Sequence, residues 1–197
     1  MKRLLLTLTL SAVLGSVAHA QLIAIKTDAF ATAALFTPNL NAELVTGNKT
    51  SVNLTLQYAC HTWGTNLRSF TAMPEFRYWF GGRPLTREFV GFSLLGGSYR
   101  NPADGDRLDK KSFRGNVAAA GVTFGYVWDL TKNNRWVMEL HGGLGLYLYR
   151  QKSRYKPELV DGVYTAAPFT ENGLSLLPYK LGVSFAYIIP VEKKHKK

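Results

Sequence analysis

Segments in which bulky apolar residues alternate with small or polar ones recur along the chain, and they constrain its fold more than any other feature. The clearest is Val117–Trp128, where Phe124 and Tyr126 alternate with Thr123 and Gly125. Successive side chains of a β-strand point to opposite faces of the sheet. Each segment therefore predicts a strand with one bulky apolar face and one small, polar face.

Eight such segments follow residue 20, and turn signals separate them. The predicted strands are Leu22–Ala34, Asn39–Thr46, Thr50–Ala59, Phe70–Phe80, Phe89–Gly97, Val117–Trp128, Trp136–Tyr149 and Pro178–Ile189. Short connections at 47–49, 81–88 and 129–135 alternate with longer ones at 61–69, 98–116 and 150–177, although the first connection, 35–38, is also short. This order predicts an all-β fold, an eight-stranded antiparallel up-and-down transmembrane β-barrel.

The first twenty residues have the pattern of a secretory signal. Met1-Lys2-Arg3 is positively charged, Leu4–Leu14 is largely apolar, and Ala18-His19-Ala20 offers small residues for cleavage. The apolar stretch is shorter than the roughly 20 residues that a membrane-spanning helix needs. We therefore expect a cleaved signal peptide at 1–20, an outer-membrane barrel at 21–190 and a basic periplasmic tail at 191–197.

Alternation alone does not say which face of the barrel is the inside, because a soluble barrel directs its bulky residues inward. Aromatic residues near the short turns favour a barrel in lipid, since such residues form girdles at membrane interfaces. They are Trp79, Phe80, Phe89, Trp128 and Trp136. With the signal peptide and the last strand, they predict a bacterial outer-membrane location.

The last strand carries the pattern polar-x-Gly-x-x-aromatic-x-aromatic at Lys180, Gly182, Phe185 and Tyr187. It resembles the C-terminal signal that the barrel-insertion machinery recognises, and a strand can add to a sheet edge in such machinery. Ten residues follow Tyr187, whereas many such barrels end at the aromatic residue. We expect the insertion machinery to be a partner.

Charged and polar residues occur on the faces that carry small residues, which we assign to the lumen. The expected lumen polar network consists of Lys26, Asp28, Glu43, Glu75, Arg77, Glu139, His141 and Lys180. These residues should pair, because an unpaired charge in a narrow interior is costly. The alternative is a catalytic acid–base pair of Glu139 and His141, but no serine has a recognisable nucleophile setting.

No catalytic, cofactor or metal site is expected. The chain has no Gly-rich phosphate loop after a strand and no HExxH motif, and Asp104-Gly105-Asp106 with Asp109 lacks the calcium-loop spacing. The formal charge of +11 does not indicate a nucleic-acid partner, because an exported protein does not meet one.

Basic residues in or beside the two longest loops are candidates for binding lipopolysaccharide phosphates, although plain solvation explains them equally well. They are Arg100, Arg107, Lys110, Lys111, Arg114, Arg150, Lys152, Arg154 and Lys156. The expected lipid partners are outer-membrane lipid and lipopolysaccharide.

Three stretches resemble one known family: Ala24-Ile25-Lys26-Thr27 with Phe36-Thr37-Pro38-Asn39-Leu40, Pro74-Glu75-Phe76-Arg77-Tyr78-Trp79, and Gly121-Val122-Thr123-Phe124-Gly125-Tyr126. They are similar to a domain-of-unknown-function family of small outer-membrane barrels from anaerobic Gram-negative bacteria. Its members are often encoded beside fimbrial proteins, so the resemblance implies a role in the cell envelope, possible association with a surface or fimbrial protein, and no catalytic residues.

The expected function is a non-enzymatic envelope protein whose loops bind a surface partner or stabilise the membrane. Small-solute transport and a lipid-modifying barrel enzyme are the alternatives. An eight-stranded barrel filled with side chains leaves little room for an aqueous channel, which disfavours transport.

Overall fold

The computed structural model of the chain describes residues 22–59, 66–101, 111–155, 159–160, 163–164 and 169–190. The predicted signal peptide at 1–20 and the predicted basic tail at 191–197 lie outside these residues.

Within the described ranges the chain forms ten strands and one short helix. In chain order they are β1 (Leu22–Asp28), α1 (Ala29–Leu35), β2 (Asn39–Val45), β3 (Thr50–Ala59), β4 (Arg68–Trp79), β5 (Arg87–Asn101), β6 (Lys111–Asp129), β7 (Trp136–Tyr155), β8 (Leu159–Val160), β9 (Val163–Tyr164) and β10 (Phe169–Pro190). Strands β1 to β7 follow one another around a closed barrel, and β10 closes it between β7 and β1. All neighbours are antiparallel, so the predicted eight-stranded up-and-down barrel fold is confirmed.

Four strands extend well beyond their predicted ends. Strands β5, β6, β7 and β10 continue into the segments 98–116 and 150–177, which the sequence predicted as loops. On β5, β6 and β7 the bulky apolar residues of the outer face stop there, whereas on β10 Leu174 and Leu176 continue them, and in all four strands backbone pairing continues. A ladder needs only backbone donors and acceptors, so loss of the apolar pattern does not mark its end.

The predicted first strand, Leu22–Ala34, is too long, because β1 ends at Asp28 and α1 follows. The Asp28 carboxylate accepts a hydrogen bond from the Ala31 N–H at 2.9 Å and caps the helix N-terminus. Alanine favours helix over strand, and Phe36, at φ 50°, ends the helix in the left-handed conformation. No helix in the described part of the chain is long and apolar enough to cross a membrane.

A bulge in β10 changes which side chains face inward. Pro178 pairs with Leu144 and Lys180 pairs with Gly143, so Tyr179 is an extra residue in the ladder. Strict alternation with Lys180 and Gly182 in the predicted strand Pro178–Ile189 puts Tyr179 on the bulky outer face, but its ring lies inside the barrel and packs against Tyr147, with centroids 6.4 Å apart. A bulge shifts the alternation by one residue, and Pro178 has no N–H for the ladder.

The inward-facing side chains form three layers. An apolar layer, here called the floor, lies at the short-turn end and contains Ala24, Val45, Trp79, Leu85, Phe89, Val127, Val137, Ala186 and Ile188. A charged layer fills the middle. Towards the long-loop end follows a second apolar layer of Met73, Leu95 and Ala119, with Val117, Tyr147 and Tyr179 packed against it.

Three of the five aromatic residues expected to form a girdle are exposed, and two are buried. Phe80, Trp128 and Trp136 are exposed beside the short turns. Trp79 and Phe89 are fully buried inside the floor, and their rings lie 4.9 Å apart. Their positions along the strands place them on the inner face, which overrides their nearness to the turns.

Candidate functional site

Arg77 on β4 is the centre of the charged layer. Its Nη1 donates hydrogen bonds to Glu43 Oε2 and Glu139 Oε2, and its Nη2 donates to Glu75 Oε2, each at 2.9 Å. Its guanidinium also lies 4.3 Å from the centre of the Phe89 ring. All of these side chains are buried. A guanidinium suits this position because its fixed fork of donors can serve several carboxylates at once.

Two lysines complete the ion pairing from other strands. Lys26 on β1 forms ion pairs with Glu43 and with Glu139, the latter at 2.5 Å. Lys180 on β10 lies 2.6 Å from Glu75. Each of the three glutamates thus contacts Arg77 and one lysine, so three cations balance three anions. This balance matters because a buried charge is tolerated only when it is paired.

His141 and Asp28 extend the charged layer towards the long-loop end. The Nε2 atom of His141 lies 3.1 Å from Asp28 Oδ2, and its Nδ1 lies 3.3 Å from Glu139 Oε1. Gly182 makes room for Asp28, because a Cβ atom at Gly182 would overlap the Asp28 carboxylate. Asp28 therefore joins the charged layer to the N-terminus of α1.

Neutral side chains that the sequence did not single out make further hydrogen bonds to the charged layer. Ser51 donates to Glu43 Oε1 at 2.5 Å and accepts from the Trp79 indole N–H at 2.8 Å. Thr123 donates to Glu75 Oε1. Their position on the small-residue faces, in the same alternation as the charges, was the signal that could have identified them.

All eight residues of the expected lumen polar network lie inside the barrel. Arg77, two lysines and three glutamates form the ion pairs, and His141 lies between Asp28 and Glu139. The apolar floor closes the lumen below them. Above them is a cavity of about 370 Å³ whose lining includes Asp28, Thr55, Met73, His141, Tyr147 and Tyr179. The arrangement holds charge in place and blocks the lumen.

The chemistry available to Glu139 and His141 is restricted by these contacts. Glu139 already binds Arg77 and Lys26, and its side chain is 1% exposed. Among the described residues, no group of three or more His, Cys, Asp or Glu side chains is placed to hold a metal ion. Asp104, Asp106 and Asp109 lie outside the described residues.

The outer face of the barrel is a belt of exposed apolar side chains. On β7 it runs from the half-buried Met138 through the exposed Leu144 to the exposed Leu148, and Phe92 and Phe124 continue it on β5 and β6. Ten residue steps of about 3.3 Å, tilted by about 40°, give a belt about 25 Å tall. That height matches the apolar band of an outer-membrane barrel.

Above the belt, four cations occupy one row across four adjacent strands. Arg68 on β4 is paired with Arg100 on β5, Arg100 with Arg114 on β6, and Arg114 with Lys152 on β7. We call these four residues the basic row. Arg150 lies on β7 two residues nearer the belt than Lys152. The side chains of Arg150 and of the basic row are all exposed. Arg68 is not among the cations predicted from the sequence, because only strand register aligns it with the others.

Four of the cations expected in or beside the two longest loops lie on barrel strands instead. They are Arg100 on β5, Arg114 on β6, and Arg150 and Lys152 on β7. The side chains of Arg107, Lys110, Lys111, Arg154 and Lys156 lie outside the described part of the structure.

The four residues of the possible insertion signal lie on both faces of β10. Phe185 is 40% exposed on the outer face, and Tyr187 packs against Trp136 with ring centroids 5.1 Å apart. Lys180 and Gly182 face the charged layer. The two aromatic residues therefore lie on the outer face towards the short-turn end.

A protein-family model described as a protein of unknown function, DUF3575, matches residues 4–189. The chain belongs to the DUF3575 family. No curated protein and no solved structure matches the chain. The family match supports the predicted membership in a domain-of-unknown-function family.

Proposed function

We propose that this DUF3575 protein is a non-enzymatic β-barrel of the bacterial outer membrane, which it reaches after export through a cleaved signal peptide. The observation that carries the proposal is the apolar belt about 25 Å tall, at whose height the described charged side chains are buried inside the barrel. In water, such a belt would be a very large exposed apolar patch. In lipid, the closed ladder pairs the backbone hydrogen-bond donors and acceptors of the strands, and the belt contacts the acyl chains.

The filled lumen supports a structural role rather than solute transport. The apolar floor and the charged layer occupy the barrel interior one above the other, and the cavity of about 370 Å³ lies on the other side of the charged layer. Moving an ion through this interior would require breaking several buried ion pairs, each of which is costly to disrupt.

The long-loop rim is the proposed contact surface for a partner at the cell surface. Strands β5, β6, β7 and β10 extend beyond the belt on this side, and loops held on a rigid scaffold commonly carry binding function. A fimbrial protein as the partner rests on the family resemblance alone. The barrel-insertion machinery would bind through Phe185 and Tyr187 during assembly.

The location is tested by expressing the full chain in a Gram-negative host and separating its membranes. We expect the protein in the outer-membrane fraction, soluble only with detergent, and migrating differently on a gel before and after boiling. Monodisperse protein in buffer without detergent would overturn the proposal. A stable open pore in a planar bilayer would contradict the closed lumen.

The contact surface is tested with photoreactive residues in intact cells. We place them at Asn101 and Phe169, the long-loop ends of β5 and β10, and, as a matched control, at Lys49 in a short turn. Crosslinks to a protein only from the rim positions support the surface role. Equal crosslinking from Lys49, or none from the rim, contradicts it.

The lipid-modifying alternative is tested with Glu139→Ala and His141→Ala in an assay of lipid A modification. A folded variant that loses an activity of the wild type would refute the non-enzymatic proposal.

A further inference from the structure

The basic row is electrostatically unfavourable by itself. Side chains directly opposite one another on antiparallel strands have Cβ atoms about 5 Å apart, and like charges in such pairs destabilise a sheet. The row contains three such pairs in succession: Arg68 with Arg100, Arg100 with Arg114, and Arg114 with Lys152. Among the described residues, none of these four forms an ion pair with a carboxylate. The arrangement becomes favourable when anions are bound.

The height of the row matches the headgroup layer of the leaflet on the long-loop side. Lys152 is four residues beyond Leu148, the last apolar belt residue of β7, which places it about 10 Å beyond the belt edge. Arginine and lysine side chains can bend towards the membrane and bring their charges closer to the acyl boundary. The headgroup layer extends about 5–7 Å beyond the hydrocarbon core, so charges that bend towards the acyl boundary reach its phosphate groups.

The surface around the row combines charge with an apolar groove. An outer groove of about 700 Å³ is lined by the basic row, Arg150, Tyr58 and Phe70. Immediately below Arg150, a second groove of about 540 Å³ is lined mostly by apolar atoms, including those of Leu148 and Leu174. A molecule with phosphate groups and acyl chains fits both grooves, whereas free phosphate fits only the first.

We propose that the basic row, with Arg150, binds the phosphate groups of lipid A in the outer leaflet, while the lower groove accommodates an acyl chain. The inference rests on the proposed outer-membrane location and goes beyond it by assigning the site. Arginine forms paired, charge-assisted hydrogen bonds to phosphate, so adjacent arginines hold a multiply phosphorylated headgroup well.

The test compares two variants of the full chain in lipid nanodiscs, each lacking four cations. The row variant carries Arg68→Gln, Arg100→Gln, Arg114→Gln and Lys152→Gln. The control variant removes the exposed cations of the short turns with Lys49→Gln, Arg83→Gln, Lys132→Gln and Arg135→Gln. The nanodiscs contain phosphatidylcholine alone, or with diphosphorylated lipid A, or with lipid A from which the phosphates have been removed.

Native mass spectrometry measures lipid A retained by the barrel, and a thermal melt measures stability. We expect the row variant to retain lipid A at least about tenfold more weakly than wild type and the control variant. Diphosphorylated lipid A should raise the melting temperature of wild type but not of the row variant. In phosphatidylcholine alone the row variant should be at least as stable as wild type, because repulsion is removed.

Equal retention by wild type and the row variant would overturn the inference, and so would an equal loss in the control variant. Binding that survives removal of the lipid A phosphates would also overturn it. A row variant that is less stable in every nanodisc shows a structural role for the row, which contradicts the proposal. If four substitutions prevent folding, the pair Arg100→Gln and Arg114→Gln provides the same comparison with a smaller effect.

Failure of the outer-membrane proposal gives a different result. In that case wild type would not enter any nanodisc, whatever its lipid. Wild type that inserts well but does not distinguish the three lipid mixtures would refute only the lipid A site.

Discussion

Replacing Arg77 with methionine is the strongest single test of the charged layer. The substitution removes three hydrogen bonds of 2.9 Å to Glu43, Glu75 and Glu139 and leaves the layer with one excess negative charge. Each glutamate retains one lysine. Because removing one member of a buried ion pair costs about 3–5 kcal/mol, we expect Arg77→Met to lower the free energy of unfolding by about 4 kcal/mol.

Two further variants separate charge from geometry. Arg77→Lys keeps the charge but loses the fork of donors, so we expect about half of the loss, roughly 2 kcal/mol. Combining Arg77→Met with Glu43→Gln restores a neutral layer and should recover about 2 kcal/mol, which makes the two substitutions non-additive. Exposed Arg135, replaced by methionine, is the control and should change stability by less than about 0.5 kcal/mol.

The assay is reversible urea unfolding of the barrel in phospholipid vesicles, followed by tryptophan fluorescence. Trp79 is a useful probe because it is buried in the floor and bonded to Ser51 beside the charged layer. A loss below about 1 kcal/mol for Arg77→Met would refute the reasoning. Strictly additive effects of Arg77→Met and Glu43→Gln would refute the argument from charge balance.

Three other predictions concern the close contacts, the belt and the bulge. Gly182→Ala forces a Cβ atom into the Asp28 carboxylate and should cost at least about 2 kcal/mol in the same unfolding assay, whereas Gly96→Ala, with open space around it, should be nearly neutral. Leu144→Arg in the middle of the belt should lower stability in vesicles by about 2–4 kcal/mol, and a variant as stable as wild type would contradict lipid exposure there. Tyr179→Ala removes the ring that packs against lumen glycines and should cost about 3 kcal/mol, and a thermal melt unchanged from wild type would contradict the inward placement of this side chain.

The alternation of the sequence was sufficient to predict the barrel and the face of most residues. A period of two assigns Glu75 and Arg77 to one face of β4 and Phe76 to the other, without knowledge of any neighbouring strand. The bounds of β3 follow from the same pattern and agree with the structure. These features are local, so the chain specifies them residue by residue.

The same pattern did not predict features that depend on neighbouring strands. The inward position of Tyr179 comes from one extra residue in the ladder between β10 and β7. The continuation of β6 to Lys111 depends on backbone pairing with β5 and β7 rather than on an apolar pattern. Pro178 marks a point where the ladder can be interrupted, but the sequence does not show which residue is extra there, and no local signal marks the continuation of β6.

Alternation thus placed Arg77 and Glu139 on the small, polar faces, but only closure of the barrel brings the two side chains into contact. The two are 62 positions apart and meet because β4 and β7 lie across a narrow lumen. Likewise, the sequence shows Arg68 and Arg100 only as separate cations, and register makes them neighbours. Distances between strands are set by hydrogen-bond pairing and closure, which no single segment encodes.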